Sequence, residues 1–416
     1  MRIAIIGSGI SGTVAAHLLH RDHEIAVFEA NDYPGGHTHT VDVTADGTKL
    51  PVDTGFIVFN ERTYPNFVRL LRTLQVPWQN SNMSFSVHCD RTGLEYCPSS
   101  LGRFFAQRRN LLRASFWGMI REIFIFRRRL LEMASLPETI TLGQHLREQG
   151  HSCAFREQFI VPMGAAIWSS EPRRFEAMPA CMFARFFANH GFLNVRDQPQ
   201  WLVIKGGSRE YAKVLMAPFR DRIRLNCPVH SVRRWPGGVE IESTNGPSER
   251  FDHAIVAVHS DQALRLLADP SEAEREILGA IGYQDNQVVL HTDTSALPER
   301  RKAWASWNYR IPREPQATVA VTYNMNILQS LKSDQVFCVT LNATQRIDPK
   351  WVVRRMVYAH PVYTPLALAV QRRHGEISGV NRTHYCGAYW GNGFHEDGVN
   401  SALAVCRYFG KDLSDA

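Results

Sequence analysis

Five glycines and a glutamate near the amino terminus carry the first chemical signal. Gly7-Ser8-Gly9-Ile10-Ser11-Gly12 follows the apolar run Arg2-Ile3-Ala4-Ile5-Ile6 and precedes residues 13–20, where Val14, Ala15, Leu18 and Leu19 recur at helical spacing. In such a strand-turn-helix, Gly7 permits the tight turn, Gly9 lets a diphosphate approach bare backbone, and Gly12 lets the helix lie close to the strand. The diphosphate then meets unpaired N–H groups at a helix N-terminus, with Ser11 in the turn. A second apolar strand, residues 24–28, ends on Glu29, whose carboxylate can accept from both ribose hydroxyls of an adenosine. The pair Gly35-Gly36 and then His37 follow that acid closely.

Residues of this kind work only at the carboxyl end of a parallel sheet, and the chain has the length for one. Its 416 residues suit two or three domains, with no repeat or low-complexity tract. The glycine motif begins so near Met1 that no signal peptide is expected, and no run reaches the roughly eighteen apolar residues of a membrane helix. The eight cysteines are scattered without a C-x-x-C, which argues against a zinc site and a disulfide framework and suits a reducing cytosol. The formal charge of +7 is unevenly placed, since residues 103–132 hold eight arginines and two glutamates.

Farther along, residues 38–42 and 48–53 alternate as a β-hairpin around Asp46-Gly47, and Thr63-Tyr64-Pro65-Asn66 opens a helix through Leu74. The glycine motif, Glu29 and the glycine pair together resemble the FAD enzymes of the glutathione-reductase and amine-oxidase type. The ordered blocks 35–40, 53–60, 61–67 and 80–87 extend the resemblance to the flavin amine-oxidase superfamily. Within it they resemble a bacterial family of FAD-dependent desaturases or oxidases, similar to the N-terminal extension of plant cyclopropane fatty acid synthases. The resemblance implies an α/β fold: a Rossmann-like FAD-binding domain (1–80, 195–284 and 375–416) interrupted by an α+β substrate domain (81–194 and 285–374). Residues 101–133 read as one or two helices, and 183–193 closes a strongly aromatic helical region. Residues 223–229, 231–234, 239–243 and 250–258 read as four short strands, and 286–291, 318–324 and 336–341 as long antiparallel ones. A last strand through Trp390, a glycine-bearing turn and a helix with Glu396 and Asp397 at its start form the second flavin motif.

The resemblance also implies the site. Beside Gly7, Gly9, Ser11, Gly12, Glu29, Gly35 and Gly36, it places Thr54, Gly55 and Phe56 near the flavin ring and Gly206-Gly207 at the start of a helix. It runs the strand at Val229 past the adenine, and brings Gly387, Glu396, Asp397, Gly398 and Val399 to the ring end. Two departures stand out: His37 occupies the place of the usual arginine, and Ala388-Tyr389-Trp390 that of the usual ribityl-binding acid. For His37 three roles are open: a diphosphate contact, a flank to the isoalloxazine with or without a covalent bond, and a structural hydrogen bond. His37 and His39 on one strand face have no evident third ligand, so no metal is expected. Tyr358, His360 and Tyr363 precede the last strand, where relatives place aromatics against the ring. Tyr358, His360 and Phe56 are the candidate catalytic residues, a histidine there being able to hold or move a proton.

The expected activity is FAD-dependent removal of hydride from a C–H bond of an apolar substrate, an unsaturated or branched fatty acyl chain of a lipid. The alternatives are oxidation of an amine or other polar small molecule, and a non-catalytic flavoprotein partner of a lipid methyltransferase. The basic aromatic segment 103–132 has two readings, a helix lying at an anionic membrane surface or a core-facing stripe with a solvated arginine face. Nucleic acid is disfavoured because no recognition fold accompanies the charge.

Overall fold

The computed structural model describes residues 1–192, 198–314 and 318–415. Its central element is Arg2–Ile6, a strand flanked on both sides in a five-stranded parallel sheet ordered Ile223–Arg224, Glu24–Phe28, Arg2–Ile6, His253–Val256, Thr383–Tyr385. Side chains alternate across it. Ile3 and Ile5 join one core with Val14, Leu18, Val399 and Leu403, while Ala4 and Ile6 join another with Phe28, Val232, Ile241 and Tyr385. The chain leaves the first strand toward one side and later returns on the other, which opens a crevice at the carboxyl ends.

Helices are numbered here in chain order: α1 Ile10–Leu19, α2 Pro65–Thr73, α3 Ala114–Met133, α4 Ala180–His190, α5 Arg209–Met216, α6 Ser260–Leu266 and α7 His395–Tyr408. α1 and α7 cross at Gly398, where an added Cβ would stand 2.6 Å from Ile10 Cγ2, and Ser11 Oγ donates to the Gly398 carbonyl at 3.0 Å. Close crossing requires that glycine.

A second, seven-stranded sheet runs Val352–Val362, Gly282–His291, Cys338–Leu341, Val321–Asn324, Trp307–Ile311, Phe85–Cys89, Leu94–Tyr96. It is antiparallel except where Trp307–Ile311 pairs with Phe85–Cys89. The hairpin Thr40–Ala45 with Thr48–Asp53 forms around Asp46-Gly47 as expected.

Four expectations need correction. Residues 223–229 are not one strand: Ile223–Arg224 edges the parallel sheet, the chain turns at Asn226 (φ +50°), and Val229–Trp235 starts a separate three-stranded sheet. Residues 250–258 are not one strand either: Glu249–Phe251 edges that three-stranded sheet and His253–Val256 lies in the parallel one. The last strand stops at Tyr385, and Ala388–Trp390 is a 3-10 turn whose Tyr389 carbonyl accepts from Gln371 Nε2. The aromatic helix ends at His190, capped by Gly191 in the left-handed region (φ +64°), and the expected end at Leu193 lies outside the described residues.

Candidate functional site

A cavity of about 750 Å³ opens at the carboxyl ends of the parallel strands and continues beneath the second sheet. Ile6, Gly7, Phe28, Glu29, Ala257 and Gly387, which end or follow four strands of the sheet, all face it. Gly9 and Gly36 form a bare cradle. A Cβ on Gly9 would meet nothing within 4 Å, and one on Gly36 would stand 3.2 Å from Gly9 Cα. α1 begins at that point with no side-chain cap and no acid in its first turn, so its leading N–H groups await an anion. Gly12 serves packing instead: its Cβ would stand 1.9 Å from the Gly7 carbonyl oxygen. This arrangement fits the diphosphate of FAD.

Of the expected site residues, Gly7, Gly9, Ser11, Glu29, Gly35, Gly36, His37, Thr54, Gly55, Phe56, Val229, Tyr358, His360 and Gly387 line the cavity. Glu396, Asp397, Gly398 and Val399 do not. The Glu396 carboxylate accepts from Asn66 N (3.0 Å) and Phe67 N (2.8 Å), countering the start of α2, and Asp397 accepts from Phe394 N at 2.9 Å as the cap of α7. Both acids are helix anchors, with pKa values raised by burial, Asp397 to about 6. Gly398 is the helix crossing, and Val399 is fully buried. Glu29 is also less free than the sequence suggests. Its two oxygens already accept from Ser8 N and Oγ and from Asn31 N and Nδ2, as a buried carboxylate requires. Ribose hydroxyls would take the place of Ser8 Oγ or Asn31 Nδ2.

His37 and His39 precede the hairpin strand and part company. His39 Nδ1 bonds to Tyr358 Oη (2.8 Å) and Thr54 Oγ1 (3.0 Å), and its ring stacks on Tyr33. His37 faces the cavity, 5.1 Å from the Tyr358 ring and 5.5 Å from that of His360. Its carbonyl accepts from Phe56 N and lies where a Gly55 Cβ would be, 2.2 Å away, which explains the glycine. Its Nε2 is buried with no partner among the described residues.

The tautomer of His360 is set by two asparagines. Asn342 Nδ2 donates to Asn286 Oδ1 at 2.6 Å, so Asn286 Nδ2 donates to His360 Nδ1 at 2.9 Å and the neutral ring carries its proton on Nε2. Tyr363 lies outside the lining, its buried hydroxyl close to Gly393.

Sequence reasoning passed over His395, the first residue of α7, although its place after a glycine turn was a usable signal. Its ring stacks on Phe56 at 3.5 Å and lines the cavity. Nε2 closes a triangle with Tyr211 Oη (3.0 Å) and Thr38 Oγ1 (3.1 Å), which are 2.6 Å apart. Both hydroxyl hydrogens find acceptors inside the triangle only if Nε2 accepts, which puts the His395 proton on Nδ1. Asp53 was missed too. Buried, it accepts from Ser208 N and Oγ, Thr40 Oγ1 and Gln329 Nε2, and so pins the Gly206-Gly207 turn before α5 to the hairpin.

The remaining wall is aromatic and apolar. Trp168 and Phe186 rings lie 4.5 Å apart, Phe186 continues to Phe394 (5.0 Å) and Phe192 (6.0 Å), and Phe192 to Trp201 (5.8 Å). Met83, Ile167, Leu328 and Leu341 complete it. Among the described residues, the only charged side chains lining the cavity are Glu29, Arg265 and Asp285, none of them on this wall.

Burial pushes the histidines down: His37 well below its ordinary range, His360 to about 4 and His395 to about 3. His39, His190 and His291 fall to about 4 and His384 to about 3, for the same first cause. Between about pH 6.5 and 4 the unfolded chain therefore binds protons that these folded rings refuse, and stability falls with pH by up to about 1.4 kcal/mol per unit for each. Asp53 and Asp397, raised to about 6, work in the opposite sense between 4 and 6. Seven imidazoles outweigh three raised carboxyls, Glu396 included, so the thermal midpoint should drop continuously from pH 7 to 5 in calorimetry. A rise over that interval would contradict the buried neutral imidazoles.

Crevice, cradle and uncapped helix define a dinucleotide-binding site. The chain belongs to the flavin-containing amine oxidoreductase family, whose model matches residues 10–408, and the cofactor of that family is FAD. It is 25% identical over 286 residues to AofH of Mycobacterium tuberculosis, named as a flavin-containing monoamine oxidase. That match covers 64% of this chain and 59% of the relative, so the chain spans under two thirds of the length of the curated relatives it matches. Cyclohexylamine oxidase from Brevibacterium oxydans shares the fold at TM-score 0.70, with 18% identity over 98% of this chain and 99% of that one. A CLA-producing fatty acid isomerase from P. acnes does so at TM-score 0.68, with 16% identity over 98% of each chain.

Proposed function

We propose that the protein is an FAD-dependent oxidoreductase that introduces a double bond into an unsaturated or branched fatty acyl chain of a lipid. The observation that carries this reading is the uncharged aromatic wall. A cationic amine against this wall would give up its hydration and meet no carboxylate on it among the described residues, a cost of several kcal/mol, whereas an acyl chain gains about 0.8 kcal/mol for each methylene buried. FAD, held by the Gly9-Gly36 cradle and the start of α1, supplies the two-electron acceptor for a hydride.

The chain's own residues supply the rest. Trp168, Phe186 and Ile167 exclude water and orient the acyl chain. His37 Nε2, buried and without a partner among the described residues, is placed to take the proton that accompanies hydride loss, and Tyr358 and the Nε2–H of His360 flank the same stretch of cavity. A fatty acid isomerase with this fold supports the scaffold's capacity for an acyl chain. Oxidation of an amine is the second reading, favoured by relatives named as putrescine and cyclohexylamine oxidases.

The test compares membrane phospholipids from cells with and without the protein by mass spectrometry. Acyl chains lighter by two hydrogens only when the protein is present are expected. Identical lipid profiles, with an alkylamine consumed by the purified protein, would establish the second reading instead.

A further inference from the structure

We propose that the outward face of α3, with the turn before it, docks on a bilayer surface rich in anionic lipid. α3 carries two opposed stripes. Phe116, Met119, Phe126, Leu130 and Met133 are buried, whereas Trp117, Phe124 and Leu131 are 48, 50 and 73% exposed, with Arg121 and Arg128 exposed between them. At about 100° per residue, positions 117, 121, 124, 128 and 131 fall within an arc of about 80°, opposite the buried stripe. Leu111 and Leu112 extend the apolar surface at the amino-terminal end, the latter 91% exposed, beside exposed Arg108 and Arg109.

The charge of this face is uncompensated. Among the described residues none of the eight arginines between Arg103 and Arg129 forms an ion pair. Arg103, Arg109, Arg113 and Arg129 bond only to neutral oxygens, and Glu122 turns inward to His151 and Ser152. Elsewhere exposed arginines do find carboxylates, as Arg372 does with Glu138 and Arg407 with Asp412. Rings and aliphatic chains alternating with guanidinium groups one turn apart match a bilayer interface, where the apolar groups sink below the headgroups and the arginines meet phosphate.

The face also lies close to the cavity. Phe126 on the inner side of α3 meets Phe183 of α4 at 6.1 Å between ring centroids, and α4 carries Phe186 and His190 of the cavity wall. One helix layer separates the docking face from the aromatic pocket. The proposal does not rest on the substrate reading, since docking is measured without turnover.

The experiment is flotation of the FAD-loaded full chain with vesicles of phosphatidylcholine alone and with vesicles containing about a third phosphatidylglycerol. Association with the anionic vesicles only, weakening as salt rises, is expected. The double variant Arg121→Glu/Arg128→Glu should lower partitioning at least about thirtyfold. Trp117→Ser/Phe124→Ser should lower it while leaving the salt dependence in place. All four side chains point outward, so an unchanged thermal midpoint and flavin spectrum verify the fold of each variant. Equal or absent binding to the two vesicle types, or unchanged partitioning of the arginine variant, would overturn the proposal; an acidic protein surface would then be the partner of matching charge.

Discussion

Replacing Gly9 by leucine should weaken FAD binding at least about a hundredfold while the apo protein keeps its stability within about 0.5 kcal/mol. The reasoning is steric and local. A Cβ at Gly9 meets no atom within 4 Å, so a side chain there projects into the open cradle without disturbing the fold. It also displaces the diphosphate from N–H groups at the start of α1, each such charge-assisted bond contributing about 1.5–3 kcal/mol. Gly12→Ala is the control with the reverse signature. Its Cβ would stand 1.9 Å from the Gly7 carbonyl oxygen and 3.1 Å from Ala257 Cβ, both fixed by the sheet. Destabilisation of the apo protein by at least about 3 kcal/mol is expected, whatever cofactor is present. Thermal unfolding and FAD fluorescence titration of the two variants separate cradle from packing. Tight FAD binding by Gly9→Leu would place the diphosphate elsewhere.

Ile167→Asp should abolish reaction with lipid without releasing FAD. Ile167 is only partly buried and faces the cavity on the aromatic wall, away from the Gly9-Gly36 cradle. A carboxylate there keeps its charge only if water stays with it, and an acyl chain entering would have to strip that water at a cost of several kcal/mol. Since each 1.36 kcal/mol is tenfold in rate, anaerobic reduction of the bound flavin by phospholipid should slow at least about a hundredfold. A carboxylate on an aromatic wall also suits a cationic ligand, so the same variant should gain reaction with an alkylamine. Stopped-flow absorbance with both substrates measures the exchange, and a lipid rate unaltered by the substitution would remove the acyl chain from this wall.

How far the site could be read from sequence follows from how local each part is. The glycine cradle needs only one strand, one turn and one helix, and those thirty-odd residues announce it. The hairpin around Asp46-Gly47 is equally local. Glu396 is not: whether it meets a cofactor or a helix depends on Asn66, 330 positions away, arriving beside it. The carboxyl group beside a glycine turn looks the same in both cases. Glu29 was correctly placed at the strand end, but Ser8 and Asn31 fold over it because burial demands donors, which spacing alone does not reveal. The strand Phe85–Cys89 has a local hairpin partner in Leu94–Tyr96, but its place in the sheet depends on Trp307–Ile311, over two hundred residues distant and parallel to it. The aromatic wall is likewise assembled from residues 83, 167, 186, 192, 201 and 394, each unremarkable in its own segment. In α3, by contrast, the two stripes were latent in the sequence, and only the packing of Phe126 and Leu130 shows which one faces water.

The central claim is that the FAD-loaded cavity accepts an uncharged acyl chain and takes hydride from it. Anaerobic titration of the holoprotein, following the visible absorption of oxidised flavin, tests that claim most directly. Bleaching by unsaturated phospholipid, with an alkylamine inert at the same concentration, is the predicted result. Bleaching by the amine with the lipid inert would contradict it.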